Sequence, residues 1–337
     1  MAYLIELLAD EWMIVPAFWE RWYFSEDGRP LGHRGYHEQL FGAAFAAGAS
    51  GDARRAAGAE FLNNVFKGVR ESLERLGVTR DTEPAWQASQ HHLLGLLEAH
   101  FARHDYVFGG APSLADFGIL GPLYAQLYRD AVSGFALRTH FPLVSEWVER
   151  TNGEGALNAR MYGQKLYSLD ERGRLVGRPA TSDDGAWLPD DRIPETLLPI
   201  LGVFFDEMWP VLRSSARVLT EYIGSATHPP GAELPGGTFM PLPGFEALQT
   251  GKGELTHAFE IGDVRGRRMV VPYQIWMLQR LERALDACTA SESGRAAIEG
   301  FLADFARGPE LLELDSLLAG CRVRKDGGRL FSEPAQI

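Results

Sequence analysis

The chain has 337 residues, 45% of them hydrophobic and 23% charged, with a formal charge of −12, which is the profile of an ordinary globular protein. The acid surplus excludes a nucleic-acid footprint, because binding phosphates requires excess lysine and arginine, and Arg265-Gly-Arg267-Arg268 is too short a cluster to change that. The length exceeds a usual single core, so two compact units are expected.

No stretch approaches the roughly 18 apolar residues of a membrane span. Glu6 interrupts the apolar start and no basic residue precedes it, which argues against a signal peptide. Cys288 and Cys321 lack metal-type spacing. Free thiols in a cytoplasmic protein are the simplest account, with a single disulfide as the alternative.

In chain order, the first element is a helix. Taking Trp12 as reference, Leu8, Val15, Trp19, Trp22 and Tyr23 share one broad face, which Leu4 and Ile5 extend upstream. Pro16 predicts a kink within it. So dense a stripe at Met1 reads as a chain whose preceding segment is missing. Residues 25–52 suggest a loop and a short helix around Tyr36–Ala47. A helix follows over about Ala53–Leu76, with Leu62, Val65, Phe66, Val69 and Leu73 inward and Gly77 as its stop. The next spans about Pro84–His104 and buries Trp86, Leu93, Leu97 and Phe101.

Ser113 and Asp116 form a capping-box pattern, with Asp as a shorter-armed version of the usual Glu. The helix they open, reaching about Arg129, is apolar enough to be buried on most sides. Pro142 starts another that Asn152-Gly153 ends. Residues 153–192 read as a linker or irregular excursion. A long helix over about Pro194–Ile223 should bend at Pro199 and Pro210, and residues 227–244 should be loop. A hairpin is expected from Thr256–Ile261 and Arg268–Val271 around the pentad Gly262–Gly266. Pro272 opens a helix to about Cys288. Two shorter helices, near 293–306 and 309–319, precede a polar tail.

The order of helices in residues 1–152, with Gly110-Ala-Pro112-Ser113-Leu-Ala-Asp116-Phe117 opening a buried one, resembles the C-terminal domain of cytosolic glutathione transferases. Two further stretches are similar to a proteobacterial group of longer transferase-like proteins. One runs from Glu6 through Trp12 and Pro16 to Trp22, and the other from Gly266 through Val271-Pro272 to Arg280. The resemblance implies a mainly α fold: a transferase-like helical bundle over residues 1–152, the excursion over 153–192, and a helical extension over 193–331 with a small β-hairpin near 256–271. It implies glutathione as co-substrate, a small electrophilic substrate and a possible homodimer, while charge, hydropathy and ligand spacing lead to the expectation of no nucleic acid, no membrane partner and no metal. The family's thioredoxin-like domain, which holds glutathione and activates its thiol, cannot be placed in this sequence. No catalytic residue carries over, and this chain alone is expected to be inactive.

Candidate substrate-binding residues are Trp12, Trp19, Trp22 and Tyr23, as an aromatic wall for an apolar substrate; the plainer reading is core packing. Arg21 projects opposite Trp12 and could bind a carboxylate of glutathione or substrate, or form an ion pair. Ser113 and Asp116 are read as structural. His100 and His104 have i,i+4 spacing, but nothing completes a zinc set. Two functions remain: an enzyme that conjugates or reduces electrophiles with glutathione once joined to a thioredoxin-like domain, or a non-catalytic binding or dimeric assembly module of the same fold.

Overall fold

The computed structural model describes residues 1–29, 31–152, 166–180, 185–235 and 255–333. The rest of the excursion and of the 227–244 loop, and the side chains of Phe66 and Lys67, lie outside the described residues. The fold is mainly α with small β-hairpins. No described helix is long and apolar enough to cross a membrane.

The N-terminal stripe forms α1 (Ala2–Leu8), a π-helical turn (Ala9–Met13) and α2 (Ile14–Ser25) in unbroken succession. Proline donates no backbone hydrogen bond, and the wider turn just before Pro16 absorbs that deficit. The same device recurs at Pro210. A π turn over Phe204–Met208 separates the helices Leu198–Val203 and Trp209–Ile223. The Asp206 carbonyl, four residues before Pro210, accepts from Arg307 Nη1 at 3.1 Å. Pro199 falls in the first turn of its helix, where a missing N–H costs little, so no bend is needed there.

Next come α3 (Arg34–Phe45), α4 (Gly51–Arg75) and α5 (Glu83–Phe101). The first two approach closely because glycines lie at their crossing: a Cβ on Gly58 would stand 1.9 Å from the Glu38 carbonyl oxygen. Beyond α4, Gly77 takes a φ of 91° and Val78 N–H donates back to the Leu73 carbonyl at 2.9 Å, the left-handed stop that its sequence position predicts.

The Ser113 box opens α6 (Leu114–Pro122), which passes into a π turn (Leu123–Tyr128), α7 (Ala131–His140) and α8 (Pro142–Thr151). Two corrections apply here. The element after the box is not buried on most sides, since Leu114 and Phe117 are about half exposed. Helix α7 had no counterpart in the sequence reading, because Ser133 and Gly134 break its apolar period.

The chain divides into two compact units, Met1–Phe66 with Gln87–Leu201, and Lys67–Trp86 with Gly202–Ile337. In the first, Ile5, Leu8, Trp12, Leu97, Phe101 and Trp147 are among the core residues, with Phe101 and Trp147 stacked at 4.7 Å. In the second, Phe204, Phe205, Trp209, Leu219, Ile275 and Leu278 are fully buried.

The two shorter helices expected near the C-terminal end are Glu292–Leu302 and Leu314–Leu318, the latter preceded by a 3-10 turn over Gly308–Glu313. The described strands form three separate antiparallel pairs. Strands β1 (Tyr167–Leu169) and β2 (Leu175–Gly177) lie within the expected excursion. Strands β3 (Thr256–Ile261) and β4 (Val264–Met269) pair through Ile261 and Val264, so the turn is Gly262-Asp263 rather than the full pentad. The expected polar tail contains β5 (Val323–Asp326) and β6 (Arg329–Ser332). Gln279, on the helix Pro272–Thr289, holds this last pair in place. Its amide accepts from Val323 N–H at 2.7 Å and donates to the Val323 carbonyl at 3.0 Å, imitating a neighbouring strand.

Candidate functional site

The first unit contains a cavity of about 460 Å³, within the size range of small-molecule sites. Helix α2 supplies one side through Trp19, Glu20, Tyr23 and Phe24, and α5 supplies Gln90, His91 and Leu94. The far side comes from Leu127, from α7 and from Phe141. The spacing of 19, 20 and 23 puts those side chains on one strip of α2.

The walls are chiefly aromatic and aliphatic. Trp19 and Tyr23 lie 4.5 Å apart, and His91 meets Phe141 edge-on at 5.1 Å. Glu20 is the polar centre, accepting from Gln90 Nε2 at 2.5 Å. Burial, aided by the negative charge of Asp130, raises its pKa to about 7 despite that hydrogen bond. A carboxyl so placed can give or take a proton near neutral pH. The sequence reading passed over Glu20, because one acid beside Arg21 looks like a solvated helix face.

The five sequence-predicted residues separate. Trp19 and Tyr23 line the cavity. Trp12 is fully buried beside a crevice of about 10 Å³ that Pro16, Leu93 and Leu94 also line. Trp22 stacks on Phe41 at 6.0 Å and meets Phe18 edge-on, which is packing against α3 and along its own helix. Arg21 is not in the cavity wall. Its guanidinium grips Asp130 through two 2.8 Å hydrogen bonds and also donates to the Ala125 carbonyl, so of its two readings the structure places it in the ion pair.

Asp130 is the hub of a buried network. His37 Nε2 meets its Oδ1 at 3.0 Å, and His37 Nδ1 contacts Ser25 Oγ. His33 Nε2 lies 3.0 Å from the Arg21 carbonyl. Burial works against the Asp130 charge, but hydrogen bonds from His37 and Arg21 outweigh it and lower its pKa. Burial lowers that of His33. The sequence Ser25–His37–Asp130 has the composition of a hydrolase triad, yet all three side chains are sealed from solvent, so no substrate carbonyl reaches Ser25. The donor atoms of His33, His37 and Asp130 lie within 4.8 Å of one another, as metal ligands would. Their bonds to Arg21, Ser25 and backbone already use those atoms, and the guanidinium occupies the place of a cation.

Ser113 and Asp116 form their capping box. The Asp116 carboxylate accepts from Ser113 N–H and Oγ–H, each at 2.8 Å, from Val107 N–H at 2.9 Å and from Trp147 Nε1 at 3.2 Å. His100 uses both ring nitrogens, on Thr196 Oγ1 at 2.8 Å and the Tyr106 carbonyl at 3.2 Å, so it is not poised as a ligand beside His104.

Residues 53–150 match the family model described as glutathione S-transferase, C-terminal domain. No curated protein and no solved structure matches the chain.

Proposed function

We propose that the glutathione transferase-like C-terminal domain carried by residues 53–150, together with α2, forms the electrophile-holding part of a glutathione-dependent transferase or reductase. The observation that carries this reading is the aromatic cavity. Gln90, His91, Leu94, Leu127 and Phe141 in its wall fall inside the matched segment, and Trp19 and Tyr23 face them from α2. In the reaction, glutathione thiolate held by a thioredoxin-like domain would form a carbon–sulfur bond to the electrophile while the leaving group departs with its electron pair. The contribution of this chain is to bind the apolar body of the electrophile and exclude water. A homodimer in the cytoplasm fits the same reading.

The alternative, a non-catalytic binding or assembly module of this fold, rests on the same residues without the thiol chemistry. Calorimetric titration separates the two. An S-aryl glutathione conjugate should bind saturably, and Tyr23→Ala should weaken it at least severalfold. Because glutathione itself is held by the thioredoxin-like domain, the deciding probe is the electrophile's apolar body. Failure of both the conjugate and an unreactive aryl analogue of the electrophile to bind would reject the electrophile-holding role in favour of the module.

A further inference from the structure

We propose that the cavity between α2, α5 and α7 binds an organic ammonium, with Glu20 as its counter-ion and Trp19, Tyr23 and Phe24 around its apolar body. This rests on the reading of the cavity as a ligand site and names the chemistry it selects.

Charge is the first argument. Among the described residues, Glu20 is the one carboxyl in the cavity wall, and no lysine or arginine lines it. The nearest basic side chains in sequence are already paired, Arg21 with Asp130 and Arg29 with Glu26. The protein therefore places a carboxyl among aromatic rings and gives it the neutral Gln90 amide as hydrogen-bond partner. A carboxylate has about four acceptor positions, so capacity remains for the N–H donors of an ammonium.

The walls suit the same guest. Aromatic faces carry negative potential and attract cations. Tyr23 already does so on the protein's own account, with the Arg29 guanidinium 3.8 Å from its ring centre. Ser133, another wall residue, donates its hydroxyl proton to the Leu127 carbonyl. An anionic guest would be repelled by the Glu20 carboxylate, and a neutral one would leave the carboxyl as it is. The titratable groups around Glu20 are Tyr23, His91 and His140 in the cavity wall, and the cluster of Asp130, Arg21, His33 and His37. An ammonium that pairs with Glu20 should displace any proton the carboxyl carries.

The test is calorimetric titration of the full chain with three probes of one shape: 3-phenylpropylammonium, 3-phenylpropanol and 3-phenylpropanoate. At pH 8 the ammonium should bind about tenfold tighter than the alcohol or better, and the carboxylate weakest. Glu20→Gln keeps an acceptor for Gln90 and should bring the ammonium down to the affinity of the alcohol while leaving the alcohol unchanged. A second readout needs no variant. At pH 7, ammonium binding should release protons, seen as a buffer-dependent enthalpy, and alcohol binding none. If alcohol and ammonium bind alike and no proton is released, this inference is overturned and the aromatic cavity stands. If none of the three binds, the reading of the cavity as a ligand site falls with it.

Discussion

Arg21 and Asp130, 109 positions apart in the chain, are joined by two parallel hydrogen bonds, Nε to Oδ2 and Nη2 to Oδ1, each 2.8 Å long. The Asp130 side chain is fully buried and that of Arg21 is 15% exposed. Removing one partner leaves an uncompensated charge in the interior, which costs about 3–5 kcal/mol. Arg21→Ala should therefore lower the melting temperature by many degrees. The lowered pKa of Asp130 sets the sign with pH: its stabilisation is present above the unfolded carboxylate value near 4 and is lost as the solution is acidified. An Arg21→Ala protein that melts like the parent would contradict the pairing.

Glu20 and His100 should tilt the stability curve in opposite directions. The Glu20 pKa is raised to about 7, chiefly by burial, so its contribution is full below pH 4.5 and is lost as pH rises through 7. Glu20→Gln should gain in urea midpoint relative to the parent at pH 8 and gain little at pH 4. Burial, with help from the neighbouring His104, lowers the His100 pKa to about 3. Its contribution is present above pH 6.5 and is lost progressively as pH falls toward 3. His100→Asn should accordingly flatten the acid limb, an effect readable from denaturation at pH 4 and pH 7.

Asp116 should matter more than the Ser113 it is paired with. Ser113→Ala removes one hydroxyl from the helix start and should cost about 1 kcal/mol. Asp116→Ala deprives four donors on Val107, Ser113 and Trp147 of their acceptor inside a dry core, for about 3 kcal/mol. Ligand affinity of the surviving folded protein should not change in either variant. A selective loss of binding at unaltered melting temperature would reassign these residues to a site.

Gln279→Leu removes both side of the clamp on Val323 while keeping the volume similar. About 2 kcal/mol of stability should be lost, with the β5–β6 hairpin released first. Hydrogen exchange at the Val323 amide reports this directly: protection should collapse there before it does in the helix Pro272–Thr289.

The elements were legible where local rules act alone. Apolar period 3.6 marked α4 and α5, Ser113 and Asp116 marked the start of α6, and Gly77 marked a stop that its positive φ explains. Prolines were read as bends, although at Pro16 and Pro210 the backbone adjusts through π turns. Whether a freed carbonyl is met by a wider turn or by a side chain such as Arg307 depends on neighbours distant in sequence. The hairpin at the C-terminal end was invisible for a similar reason. Its short strands are mostly polar, and what fixes them is Gln279, more than forty positions earlier.

The sequence by itself determined the helical character of the chain, the capping box, and the resemblance that the match over residues 53–150 supports. It also determined that the aromatic residues of α2 cluster, because helical geometry leaves them no other arrangement. It could not say which of them meet a cavity. That was decided by which face of α2 the π turn, α5 and α7 left uncovered: Trp19 and Tyr23 border open space, Trp22 of α2 and Trp12 of the π turn are packed, and Arg21 pairs with Asp130. The protonation of Glu20 belongs to the tertiary structure too, since an acid's pKa follows the water, charges and hydrogen bonds around it rather than its neighbours in the chain.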